Sequence, residues 1–190
     1  MTRATKTLEF LLLILLTGAI ILSAFYLAQY IEQNDAARIL VENFNFFGMV
    51  AVGIVSGLNA FVPVHAATFA PVFAAAGFSM LSIISALVIG TLIADLLSYQ
   101  VARWGKNSTR AHFPKFDAWL TYLKNNHHNF ILPGIFIFAS VVPLPNEILL
   151  IPLGLMGYHF WTIAGPLALG TLVNQILYAY GFTSIFAKLF

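Results

Sequence analysis

The sequence predicts an all-α integral membrane protein. We expect two inverted-topology repeats, each a re-entrant hairpin plus one transmembrane helix, and one extra N-terminal transmembrane helix. Three observations predict this fold: the apolar composition, long apolar runs broken by proline and glycine, and an internal repeat. Of the 190 residues, 60% are hydrophobic and only 8% are charged, and the mean hydropathy is +0.88. A soluble domain carries about 25% charged residues.

The remaining composition excludes several classes of function. The chain has no cysteine, so disulfides, thiol catalysis and thiolate metal sites are excluded. The net charge of +2 is too small to indicate a nucleic-acid partner. No Ser-His pair or acid pair has a spacing typical of an enzyme. The adjacent His127 and His128 would not converge on one metal from a helix, so we predict neither a metal site nor a cofactor.

Residues 1–44 are predicted to form an N-terminal anchor helix and a polar loop. The apolar run Phe10–Tyr30 is long enough to cross a bilayer. We interpret it as a retained anchor, because it is longer than the apolar region of a typical signal peptide. The rest of the chain, 45–190, is predicted to form the transmembrane domain.

Within this domain, the repeats are expected over about 45–105 and 125–186. Each begins with an apolar run that is too long for one helix and is interrupted by proline and glycine, and each continues into an unbroken span. The runs are Phe46–Gly77 and Phe130–Gly157, and the spans are Ser79–Val101 and Phe160–Phe182. A basic segment over about 103–128 joins the repeats. Its apolar residues recur at helical spacing, which predicts an amphipathic helix on the membrane surface.

The internal repeat appears when the sequence is shifted by 80 positions without a gap. Val62-Pro63 then aligns with Val142-Pro143, Gly77 with Gly157, and Gly90-Thr91-Leu92 with Gly170-Thr171-Leu172. The 36 columns from Val62 to Leu97 contain nine identities. The two broken runs are therefore predicted to be related structures.

The distribution of basic residues predicts the topology. Lysine and arginine favour cytoplasmic loops, which places the N-terminus and the 103–128 segment in the cytoplasm and the C-terminus outside. Each broken run must then enter and leave the membrane on the same face, one from outside and the other from inside. Inverted repeats with broken helices are typical of secondary transporters. We expect the plasma membrane of a bacterium or an archaeon.

The predicted tip of the second hairpin is Pro143-Leu144-Pro145, because proline removes a backbone donor and blocks the preceding turn. Pro63 is the predicted break in the first hairpin. The helix is expected to restart at Asn146, a suitable N-cap. Glu147 would then lie in the first helical turn, where the helix dipole stabilises a carboxylate.

Polar side chains at membrane depth often mark a transport pathway. The predicted substrate or ion pathway comprises Glu147, Asp95, His65, Asn59, Asn146, Ser140, Asn174 and Gln175. Structural roles are the alternative for each: loop hydrogen bonds, helix capping, packing, helix–helix contacts or, for Asp95, a position at the membrane surface. Arg103 and Lys106 are predicted to attract anionic head groups, or else to act only as topology signals.

Two segments, Gly90–Gly105 (GTLIADLLSYQVARWG) and Phe138–Gly154, carry a resemblance to a known family. The first is similar to a span, and the second to the second hairpin, of the DedA family, also called the VTT-domain or SNARE-associated Golgi protein superfamily. The stretch Asn59–Pro63 resembles its first hairpin more loosely. The resemblance covers about Gly57–Gly181.

The departures from the family pattern concern charge. Ser140 and Asn146 occupy the positions of two family arginines, and Asn59 stands where the first hairpin usually has an acid. The sequence Pro-Leu-Pro-Asn-Glu resembles a shorter branch of the superfamily. The chain is thus identified as a divergent short member, and a mechanism that depends on those arginines and that acid does not carry over directly.

The resemblance implies a lipid transporter of the flippase or scramblase type, which is not an enzyme. It would move a phospholipid or polyprenyl-phosphate head group between leaflets, with membrane lipids as partners. Coupling to protons or cations, and homo-oligomerisation, are left open. The alternative function is an ion-coupled exporter of a small solute or cation, which the missing arginines favour.

Overall fold

The computed structural model describes residues 3–58, 64–126, 128–142 and 144–189, and over these ranges it consists of helices and connecting loops without a strand. The helices are α1 (Arg3–Gln33), α2 (Asp35–Glu42), α3 (Asn45–Gly57), a 3-10 turn (Ala66–Phe69) that leads into α4 (Ala70–Ala75), α5 (Met80–His112), α6 (Pro114–Asn126), α7 (His128–Val141), α8 (Glu147–Met156) and α9 (Phe160–Leu189). The predicted all-helical class is confirmed.

Within the part of the chain that the structure describes, three helical segments are long and apolar enough to cross a membrane: Ile14–Gln33, Met80–Thr109 and Phe160–Leu189. Helices α2 and α3 would add a fourth if they formed one span, but they are bent by 80° at their junction. Large apolar side chains remain exposed along the helices, and Leu81 is 78% exposed. These features fit an integral membrane protein, because water would penalise such a surface.

Two predicted boundaries were wrong. The polar loop expected before residue 45 contains helix α2, because Asn34 caps it by accepting a hydrogen bond from the Ala37 N–H at 3.1 Å. The second span does not end at Val101: α5 continues to His112, just before the helix-starting Pro114. Arg103 and Lys106 therefore lie on α5 rather than on a separate surface helix.

Within the basic segment, the helix that carries the predicted apolar spacing is α6. Leu120 is buried against the protein, while Trp119 is 53% exposed on the same helix. The predicted helical spacing is thus present in a shorter segment than expected.

The broken segments pack against the two long spans in a reciprocal pattern. Helix α3 packs on α5 and α7 packs on α9, while α8 packs on α5 and α4 contacts α9. We call α3 and α7 the first arms of the two broken segments, and α4 and α8 their second arms. Each of the spans α5 and α9 thus contacts the first arm of its own half of the chain and the second arm of the other half. The polar cavity described below lies where these arms are interrupted.

The backbone at the ends of α4 and α8 follows the 80-residue shift. Gly77 and Gly157 both have positive φ values, 92° and 68°. The N–H of Phe78 donates to the Phe73 carbonyl at 3.1 Å, and the N–H of Tyr158 donates to the Leu153 carbonyl at 3.3 Å. This is the hydrogen bond of a glycine-terminated helix end. Both spans then begin three residues after their glycine.

The first arms follow a different shift. Gly90 on α5 lies against Gly53 and the Val50 carbonyl of α3, and Gly170 on α9 lies against Ala139 and the Phe136 carbonyl of α7. The two glycines are 80 positions apart, but their partners are 86 apart. Eight residues of sequence separate α3 from the 3-10 turn, whereas five separate α7 from α8. The ungapped alignment therefore does not extend into α3 and α7.

Candidate functional site

A polar cavity of about 50 Å³ lies where the broken segments meet α5 and α9. That volume holds a few molecules of the size of water. The polar side chains that line it are Ser56, His65, Thr91, Asp95, Asn146, Glu147, Thr171, Asn174 and Gln175. Six of the predicted pathway residues thus come together from both halves of the chain.

Asp95 lies on α5 and is only 1% exposed. Its Oδ2 accepts a hydrogen bond of 2.9 Å from the Nδ2 of Asn146, at the tip of the second broken segment. Its Oδ1 has no hydrogen-bond partner among the described residues. The buried carboxyl group therefore joins α5 to the start of α8 inside the protein.

Asn146 stands at the predicted helix start, but its side chain does not cap the helix. Its φ and ψ, −60° and −22°, are helical rather than extended, and its side chain makes no capping hydrogen bond. An N-cap residue normally has an extended backbone that turns its side chain toward the helix amides. The amide group of Asn146 is used instead to bind Asp95.

Glu147 is the first residue of α8, as expected, and is 6% exposed. It lines the cavity together with Asp95. The N-terminal turn of a helix is a favourable place for a carboxylate. Two acidic groups from different halves of the chain therefore share one small cavity.

Asn174 on α9 connects the two broken segments. Its Oδ1 accepts a hydrogen bond from His65 Nε2, and its Nδ2 donates to the Ser140 carbonyl at 3.2 Å. The Nδ1 of His65 accepts from the Ala67 N–H at 3.3 Å, which places the imidazole proton on Nε2. The His65 ring stacks on Tyr178 with centroids 4.5 Å apart. His65 is thus held in one orientation.

Thr91 and Thr171 line the cavity but were absent from the predicted pathway. The Nε2 of Gln175 donates to Thr91 Oγ1 at 3.2 Å, which links α9 to α5. Each threonine lies four residues before a polar residue, Asp95 or Gln175, and such pairs share a helix face. The Gly-Thr-Leu triplets therefore carried a signal for the site as well as for the repeat.

Other predicted residues lie elsewhere. The hydroxyl of Ser140 is buried and donates to the Phe136 carbonyl of its own helix at 2.7 Å, so only the Ser140 backbone carbonyl serves the network. Of the helix-breaking prolines, Pro145 lines the cavity. Asn59, Pro63 and Pro143 lie outside the described residues.

Basic side chains gather at the C-terminal end of α8, away from the cavity. Lys124 Nζ donates to the Met156 carbonyl at 3.1 Å. Lys106 Nζ lies 2.6 Å from the position that a Cβ would take on Gly157. Cations at this end of a helix interact favourably with its dipole. Arg103 is exposed on α5.

An apolar groove of about 280 Å³ runs along the other side of α8, between α6 and α7. The groove is lined by Trp119, Leu123, Ile131, Gly134, Phe138, Ile148, Leu149, Pro152, Leu153 and Met156. Helix α8 therefore contributes Glu147 to the polar cavity and the next two residues to the apolar groove.

Among the described residues, no group of three or more histidines, cysteines and acidic residues is arranged to hold a metal ion. No protein-family model matches the chain, and no curated protein or solved structure matches it either. The fold and the cavity therefore define the class, an all-helical protein suited to a membrane, with a buried acidic cavity between interrupted helices.

Proposed function

We propose that this chain is a membrane lipid transporter of the flippase or scramblase type and a divergent short member of the DedA/VTT superfamily. It would move a phospholipid or polyprenyl-phosphate head group between leaflets along a path between the two broken segments. The observation that carries this proposal is the double character of α8, which has the polar cavity on one side and the apolar groove on the other.

A lipid that changes leaflet needs both surfaces at once. Its head group loses its hydration in hydrocarbon at a high cost in free energy, while its acyl chains need no such protection. Polar groups around Glu147 would receive the head group, and the groove beside Ile148 and Leu149 would receive an acyl chain. The two environments are adjacent because these residues are consecutive on α8.

The size of the cavity implies movement. A volume of about 50 Å³ admits water or an ion but is too small for a phospholipid head group. The tip of α8 must therefore separate from α5 during transport. The hydrogen bond between Asn146 and Asp95 is the tip contact that would open.

The basic residues beside the groove support an anionic lipid. Lys124 and Lys106 lie at the C-terminal end of α8, and Met156 at that end also lines the groove. Basic residues near a membrane surface attract anionic head groups, each by about 1 kcal/mol. They would collect the lipid before it enters the path.

The topology that belongs to this proposal is an inverted repeat. Segments α3–α4 and α7–α8 would be re-entrant hairpins that enter from opposite faces, with the N-terminus in the cytoplasm of a bacterial or archaeal cell and the C-terminus outside. The reciprocal packing on α5 and α9 and the matching turns at Gly77 and Gly157 support it. Opposed hairpins place both helix breaks near the membrane centre.

One observation favours the alternative function, an ion-coupled exporter of a small solute or cation. The described lining of the cavity includes the carboxyl groups of Asp95 and Glu147 but no lysine or arginine. A phosphate would be repelled by ionised carboxylates, whereas a cation would be attracted.

A paired flux experiment in liposomes separates the two functions. One set of vesicles carries a fluorescent phospholipid in both leaflets, and an impermeant reductant is added outside. A lipid transporter exposes the inner-leaflet label to the reductant, whereas protein-free vesicles protect it. A second set, loaded with a cation-sensitive dye, reports ion entry. Ion flux without any loss of the inner label would reject the lipid proposal in favour of the exporter.

A further inference from the structure

We propose that the polar cavity binds a monovalent cation of about the size of Na⁺ through oxygen atoms of Asp95, Thr171 and Gln175. The inference deepens the proposed function, on which it rests in one respect: it takes the cavity to be the centre of transport. Binding itself is measured without transport, so the two can fail separately.

Three buried oxygen atoms carry the inference. Asp95 Oδ1, Thr171 Oγ1 and Gln175 Oε1 have no hydrogen-bond partner among the described residues, and their residues are only 1–2% exposed. All three residues line the same cavity. A buried polar atom left unsatisfied costs about 1–3 kcal/mol, so a ligand that contacts all three is favoured.

All three atoms offer lone pairs, and only the Thr171 hydroxyl can also donate a proton. Gln175 uses its Nε2 to donate to Thr91, which leaves its oxygen as the unpaired end of the amide. Asp95 already accepts a hydrogen bond from Asn146 at its other oxygen. The groups that remain are a carboxylate, an amide oxygen and a hydroxyl. Such a set suits an electron-poor ligand.

The charge of the cavity also calls for a cation. Asp95 and Glu147 bring two acidic groups into it, and the described lining contains no lysine or arginine. A cation in the cavity would offset the cost of burying the Asp95 carboxylate, which is several kcal/mol without compensation. His65 does not provide that compensation, because both of its ring nitrogens are engaged, with Asn174 and with the Ala67 N–H.

The donor atoms select the class of cation. Oxygen-only sites prefer hard cations over copper, zinc or iron. A single positive charge is favoured over a double one, because the cost of removing an ion from water rises steeply with its charge. The volume of about 50 Å³ accommodates an ion of this size with a water molecule.

Thermal unfolding of the purified full-length chain in lipid nanodiscs tests the inference. NaCl is compared with choline chloride at the same ionic strength, so that screening is constant. A ligand that binds the folded state raises Tm as its concentration increases. We expect Tm to start rising when the concentration of Na⁺ reaches the Kd, and then to rise with the logarithm of that concentration. Equal Tm values in the two salts would show that water alone fills the site.

Three variants locate the ion. Asp95→Asn and Thr171→Val should each raise the concentration of Na⁺ at which Tm starts to rise by roughly tenfold, the equivalent of 1.4 kcal/mol. Thr171→Val keeps the shape of the side chain, so it covers the case in which Asp95→Asn does not fold. Glu32→Gln, which changes an exposed acid on α1, should retain the full shift. A full shift in both cavity variants would overturn the inference.

Two further results separate this inference from the proposed function. CaCl₂ that stabilises the chain at far lower concentration than NaCl would overturn the assignment to a monovalent ion. Lipid transport that proceeds in choline chloride, together with no Na⁺-dependent Tm shift, would overturn the ion site and leave the lipid function standing. A Na⁺-dependent shift without lipid transport would support the ion site and reject the lipid function.

Discussion

Asn174 is the residue at which the two broken segments are tied to one helix. It accepts a hydrogen bond from His65 of the first segment and donates one to the Ser140 carbonyl of the second. Buried hydrogen bonds between membrane helices contribute modestly, about 0.6 kcal/mol on average. The importance of Asn174 therefore lies in its position between the segments rather than in the strength of either bond.

A double-mutant cycle on His65 and Asn174 tests this link. His65→Ala and Asn174→Ala should each destabilise the chain, and their effects should be coupled by about 0.6 kcal/mol, because either change removes the same hydrogen bond. Unfolding in mixed detergent micelles gives the free energies. The control pairs His65→Ala with Thr183→Ala, since Thr183 binds a carbonyl of its own helix. Coupling as small as in the control would contradict the described network.

The cavity was partly predictable at the residue scale. Glu147, Asp95 and His65 are conspicuous because ionisable groups are rare in apolar runs. Thr91 and Thr171 were not predicted, since threonine in a membrane helix can satisfy its hydroxyl within its own helix. Ser140 shows the reverse case, a predicted pathway residue whose hydroxyl bonds only its own helix. Sequence shows which groups are polar, but packing decides which way they point.

Between elements, glycine allows α3 to approach α5 closely. A Cβ on Gly90 would lie 2.4 Å from the Val50 carbonyl oxygen and 2.7 Å from the Gly53 Cα. Both atoms belong to the backbone, so neither can move aside alone. Small residues that permit such contacts are characteristic of membrane helix interfaces.

Gly90→Ala should therefore lower the free energy of unfolding by about 1–3 kcal/mol, the usual cost of overpacking. Gly181→Ala on α9 is the matched control, because a Cβ there meets nothing within 4 Å. Alanine is the better helix former, so the control should be neutral or slightly stabilising. Tm measured in the same detergent compares the two variants. Equal losses of Tm would contradict the close approach of α3 and α5.

Element boundaries were predictable where backbone chemistry is strong. The ends of α4 and α8 follow from Gly77 and Gly157, and the start of α8 follows the proline-rich tip. The end of α5 was not predictable, because the basic residues after Val101 change the polarity of the sequence without breaking the helix. Polarity shows where a helix leaves an apolar environment, whereas proline and glycine show where it ends.

For the whole molecule, inverted topology makes a direct prediction about the two sides of the membrane. The native chain contains no cysteine, so single-cysteine variants need no background removal. Asn43 and Asn107 are both exposed, the first after α2 and the second late in α5. A membrane-impermeant maleimide should label Asn43→Cys in intact cells and Asn107→Cys only after permeabilisation. Labelling of both from one side would contradict the inverted repeat.

The all-helical class was predictable from composition, because few charges and long apolar runs leave no other architecture for these segments. The alignment of the two repeats was predictable for their second arms and spans, but not for their first arms. From the turns at Gly77 and Gly157 onward, equivalent residues of the two repeats are 80 positions apart. Equivalent residues of α3 and α7 are 86 positions apart. Connection length varies without disturbing the packing of the arms, so an ungapped comparison misses it.

The most direct test of the central claim is lipid movement in liposomes that contain Glu147→Gln or Asp95→Asn. Both substitutions keep the shape of the side chain and remove its ability to carry charge. If the cavity is the transport path and its carboxyl groups hold the cation that offsets the charge of a phosphate head group, each should slow exposure of the inner-leaflet lipid by roughly tenfold or more, equivalent to about 1.4 kcal/mol of lost stabilisation at the barrier. Glu32→Gln should transport normally. Folded cavity variants that move lipid as fast as the unmodified chain would contradict the account.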